Sequence, residues 1–101
     1  MNLPRPTLPS DLVTRAAAAT GICQSRIHSE GRTIRIVRIR WAIFQVLRQR
    51  GWSLHEIGDV FGKDHGTVIN GLKKSKALLE SDPTYRALVA HLTTAPLLVT
   101  P

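Results

Sequence analysis

Between Lys63 and Thr67 the chain sets an ammonium, a carboxylate, an imidazole and a hydroxyl within five positions, Lys63-Asp64-His65-Gly66-Thr67. Asp64 beside His65 could mimic part of a hydrolytic dyad, but no nucleophile, base and orienting group stand together in the sequence, so no enzyme is expected. The four histidines, His28, His55, His65 and His91, show no i to i+4 pairing, and the single Cys23 cannot complete a zinc site, so no metal is expected. The run from Gly58 to Asp64 is superficially similar to a phosphate-binding loop. It has three residues between its glycines instead of four, and Asp64 follows the lysine where Ser or Thr is required, so neither nucleotide nor another cofactor is expected. What remains is non-covalent. If Asp64 opens a helix, the first-turn N–H groups can hold a phosphate, and the small side chains at 66 and 67 let that helix come close to base edges.

Charge points the same way. Lys and Arg number 14 against 7 Asp and Glu, for a net charge of +7 and a pI near 10.8. Such an excess in a small domain implies a polyanionic partner, nucleic acid before membrane. Arg26, Arg32, Arg35, Arg38, Arg40, Arg48 and Arg50 supply half of the basic residues within 25 positions. Arg32, Arg35 and Arg38, spaced three apart, predict a phosphate-facing stripe on one side of a helix, while Arg48 and Arg50 suit a helix C-terminus. Trp41 and Trp52 read as packing residues rather than base-stacking platforms, since the chain is only 5% aromatic.

These groups need a scaffold, and 101 residues with 43% hydrophobic content suffice for one modest core. Pro4, Pro6 and Pro9 predict an extended lead-in over residues 1–9. Ser10 is the expected N-cap of a helix that Gly21 ends. A helical turn over 25–30 should pack Ile27 inward. The longest periodic stretch, 32–50, aligns Ile34, Val37, Trp41, Phe44 and Leu47 on one face, widened by Ile36 and Ile43, with Gly51 as its terminator. Ser53-Leu54-His55-Glu56 is a capping box, opening a short helix that buries Leu54, Ile57 and Val60. Asp64 caps the next, to about Leu79, with Val68, Leu72 and Leu78 inward. Asp82-Pro83 starts a last helix that turns Leu88, Val89 and Leu92 inward. Nothing alternates as a strand would. Residues 10–93 thus form an all-α domain with a helix-turn-helix over 53–76, and 94–101 an apolar tail too short to cross a bilayer.

The wording of Ser53-Leu54-x-Glu56-Ile57-Gly58-x-x-Phe61-Gly62-Lys63-Asp64-His65-Gly66-Thr67-Val68 resembles the C-terminal DNA-binding domain of the bacterial replication initiator DnaA. The likeness extends upstream to Arg38-Ile39-Arg40 and downstream to Lys73-Lys74. It implies a Trp-repressor-like helix-turn-helix, with Asp64 and His65 contacting bases in the major groove of double-stranded DNA. It implies phosphate contacts from Thr67, Lys74 and Lys63, and a contact beside the minor groove from Arg38 or Arg40. Ser53 and Lys73 join the expected backbone contacts, with Arg32 and Arg35. The chain departs from the family in having one residue, Lys63, between Gly62 and Asp64 where two are usual. Gly66 stands where Thr or Ser is usual, and Trp41 where a polar residue is.

Three functions fit. The first is a stand-alone sequence-reading module that regulates replication or transcription as a monomer on DNA, cytoplasmic and nucleoid-associated. The second is a piece of a larger initiator. The third is a protein-interaction adaptor that keeps the fold without specific readout, as Gly66 and the short turn suggest.

Overall fold

The computed structural model describes residues 8–28 and 33–94, which form six α-helices and no strand. The predicted lead-in (apart from Leu8 and Pro9), Arg32 and most of the predicted tail lie outside the described residues. In order, the helices are α1 (Pro9–Thr20), α2 (Gln24–His28), α3 (Ile34–Gln49), α4 (Leu54–Phe61), α5 (His65–Ser81) and α6 (Pro83–Thr93). α3 is the hub, packing against all five others.

Most helix ends follow from local hydrogen bonds. The Ser53 hydroxyl accepts from the Glu56 N–H at 3.1 Å while the Glu56 carboxylate accepts from the Ser53 N–H at 2.9 Å, closing the capping box. Asp82 Oδ1 accepts from the N–H groups of Thr84 and Tyr85, with Pro83 as the first residue of α6. Gly51, at φ +93°, ends α3 in a Schellman motif, in which Trp52 N–H reaches Leu47 O and Gly51 N–H reaches Arg48 O. One expected cap is displaced. α1 starts at Pro9, not after Ser10, and Leu8 at its N-cap makes no side-chain bond. Proline at N1 brings its own helical φ and no orphan N–H, so it substitutes for the cap.

The core face of α3 is rotated from the expected one. Ile36, Arg40, Ile43 and Leu47 run down its centre at helical spacing, flanked by buried Ile39, Ala42 and Val46. Ile34 is 57% exposed, and Val37 and Trp41 are only half-buried. An alignment drawn through apolar side chains alone skips Arg40 and so slides toward the flank.

α5 closes on α3 at Gly71. A Cβ there would lie 2.6 Å from Trp41 Cδ1 and 2.9 Å from Phe44 Cδ2, so only glycine admits this approach. Trp41 is therefore packed against the helix, as a packing residue should be. Further along α5, buried Ser75 accepts a 2.7 Å hydrogen bond from the Tyr85 hydroxyl of α6. Burial pushes that hydroxyl up to about 12, so it stays protonated as the donor.

Candidate nucleic-acid interface

Two helix ends and a tight turn define the site. α4 ends on Gly62, at φ +65°, with Lys63 N–H donating to Gly58 O at 2.8 Å and Gly62 N–H to Asp59 O at 3.4 Å. The turn leaves Lys63 alone between this glycine and Asp64, the N-cap of α5. Asp64 Oδ1 accepts from the Thr67 N–H at 2.8 Å. That backbone bond holds its carboxyl below the usual carboxylate range, and the Thr67 side chain and neighbouring His65 act in the same direction. Asp64 is thus an ionised acceptor at neutral pH, and a carboxylate has more acceptor positions than the cap uses. Asp64, His65, Gly66 and Thr67 are all exposed. His65 and Gly66 occupy the first two positions of α5, where helix geometry gives a backbone N–H no intrahelical acceptor. Together they form a compact, N–H-rich end that can take an anion or a base edge.

The ring of His65 rests on the ring of His55, centroids 4.6 Å apart and planes at 45°. His55 lies on the first turn of α4, next to the Ser53 cap. This pair joins residues ten apart across the turn, which no helical spacing in the sequence reveals. On the core side, the ring of His28 stacks on Phe61 at 5.3 Å, and Phe61 meets Phe44 edge-on. The C-terminal end of α2 is thereby held against the turn.

Along α5, Val68, Gly71 and Ser75 are buried, while Gly66, Asn70 and Lys73, at i, i+4 and i+7, are exposed on the opposite face. Thr67 and Lys74 share an exposed flank of that face, and half-buried Lys63 sits at its start. Asn70 is not among the residues expected from the sequence, although its spacing from Gly66 marks it as their neighbour.

The arginines divide. Arg40 is 6% exposed and its Nε donates to the Ile27 carbonyl at 2.6 Å, with a longer 3.5 Å contact from Nη2 to Arg26 O. Arg40, expected on the DNA backbone, is enclosed in this structure, where its guanidinium terminates α2, whose last carbonyls lack intrahelical donors. Arg38 pairs with Asp82 at 3.2 Å, at the far end of α5 from Asp64. Arg35 donates to the Thr20 carbonyl at 3.0 Å. Both line a groove of about 510 Å³ between α1, α3 and α6, walled by Ala19, Ile39 and Leu88. The stripe is real as spacing, but its described members are engaged with the protein.

Comparison with known proteins agrees with this geometry. The family described as bacterial dnaA protein helix-turn-helix matches residues 9–74, from α1 through the first half of α5. The chromosomal replication initiator protein DnaA of Deinococcus radiodurans is 33% identical over 84 residues, which cover 82% of this chain. The chain spans 18% of the length of that relative. The family match takes in the capping box, the turn and the Asp64–Thr67 end of α5 that build the site, and the chain belongs to the bacterial DnaA helix-turn-helix family.

Proposed function

We propose that this chain binds double-stranded DNA sequence-specifically, as a monomer without nucleotide, and regulates replication or transcription at the nucleoid. The observation that carries this reading is the exposed N-terminal end of α5, capped by Asp64 and standing clear of the core. In a helix-turn-helix the first helix buttresses and the second enters the major groove by its N-terminal end; α4 and α5 take these two roles. The Asp64 carboxylate can accept from a cytosine or adenine amino group, and His65 can reach a neighbouring base edge. Lys63, Thr67, Lys73 and Lys74 surround that end for phosphates, and the α4 N-terminus at Ser53 offers another phosphate position. Arg35 and Arg38 contribute chiefly to the groove they line.

Salt dependence and selectivity test this together. Log affinity for a duplex should fall with log salt with a slope on the order of −3, close to one unit for each of Lys63, Lys73 and Lys74. Lys74→Ala should weaken all duplexes alike and reduce the slope by about one. His65→Ala should keep the slope and lose roughly 1–3 kcal/mol of discrimination at one base pair. A His65→Ala variant with unchanged preference would remove the major-groove assignment. Intact protein that binds no duplex at low salt would favour the adaptor instead.

A further inference from the structure

Gly66 and Asn70 are both weak helix formers, yet they lie one turn apart on the exposed face of α5. Nothing among the described residues requires either. A Cβ at Gly66 would meet only Asp64 Oδ1 at 3.6 Å, an ordinary contact. The Asn70 side chain is exposed, and its amide makes no hydrogen bond among the described residues. A surface helix with no outside partner gains nothing from this pair, and Ala or a charged residue would serve it better.

We infer that Asn70 is a specificity-determining residue that reads an adenine in the major groove, with bare Gly66 letting the helix come close enough for it to do so. The proposal rests on the duplex-binding reading above. An asparagine amide offers one donor and one acceptor side by side, which matches adenine N7 and N6 and no other major-groove edge as a bidentate pair. Asn70 follows Gly66 by about 6 Å of helix rise. A side chain at 66 would occupy the space between them and the base edges, whereas glycine leaves it open. Lys73, one turn further on the same face, is placed for the flanking phosphate. Gly66, with no side chain of its own, therefore leaves readout on this face to position 70.

Duplexes with a randomised core, selected by the intact protein, supply the probe. The selected site should contain a fixed adenine whose replacement weakens binding roughly 5- to 100-fold. Asn70→Ala should lose that preference while keeping the preferences set by Asp64 and His65, with a thermal midpoint equal to or above the parent, since alanine is the better helix former. Replacing the selected adenine by 7-deazaadenine removes only the N7 acceptor. It should weaken the parent about three- to tenfold and leave Asn70→Ala unaffected. Persistent 7-deaza sensitivity in Asn70→Ala, or a selected site without a fixed adenine, would overturn the proposal and leave duplex binding standing. Absence of any selected duplex would overturn both.

Discussion

Gly58→Ala is expected to cost about 3 kcal/mol of stability, a large share of the 5–15 kcal/mol typical of a whole domain. A Cβ at this position would run into the Lys63 carbonyl oxygen and lie 3.5 Å from the Asp64 carbonyl carbon. Both obstacles are backbone, so no rotamer change relieves the clash. The turn must move outward instead, stretching the 2.8 Å bond from Lys63 N–H to Gly58 O that closes α4. The gain of about 1 kcal/mol in helix propensity on replacing glycine offsets only part of this. Because Lys63 and Asp64 shift with the turn, surviving folded protein should also lose duplex selectivity. Gly62 makes the control. Its Cβ would meet nothing within 4 Å, and its demand is the positive φ of 65° alone. Gly62→Asn should therefore cost well under half as much, since Asn tolerates the left-handed region. Thermal denaturation of the two variants checks the contrast, and equal losses would show that the clash at Gly58 is absorbed.

The contrast between these glycines also shows what is legible in the sequence. Helix ends are readable at Ser53, Asp64, Gly51 and Asp82-Pro83 because each is settled by hydrogen bonds or φ within four or five residues of the chain. The exposed start of α5 is readable for the same reason. Core assignments are less secure, because burial depends on partners far along the chain. Val60 and Leu72 have the right period yet are half-buried, while Tyr85 is buried only because α6 places it over Ser75. The His55–His65 contact has no signature at all, since it forms only when the turn folds the two helix starts together. Charge alone does not tell which way an arginine turns. Arg35, Arg38 and Arg40 group together by sign and proximity, but at 100° per residue Arg40 lies on the other side of α3 from Arg35 and Arg38, which share one face and line the same groove. One meets the end of α1, one the start of α6 and one the end of α2.

Arg40→Ala is accordingly expected to be a folding variant rather than a binding one. The guanidinium is enclosed between the buried face of α3 and the last carbonyls of α2, and removing it strands the Ile27 carbonyl and leaves a cavity beside Ile36 and Ile43. Loss of a buried charged hydrogen bond together with its packing amounts to about 3 kcal/mol. For a domain of this size that lowers Tm on the order of 10–20 °C. The consequence should reach the site, because α2 also carries His28, whose ring stacks on Phe61 at the end of α4. Arg40→Lys should recover little, since a single ammonium cannot reproduce the planar fork between two carbonyls. The decisive measurement is the salt slope of duplex binding, taken cold enough that the variant remains folded. It should equal the parent's, because no phosphate contact has been lost, whereas Lys74→Ala reduces it by about one. A reduced slope with unchanged Tm would return Arg40 to the DNA and show that its position between α2 and α3 gives way on binding.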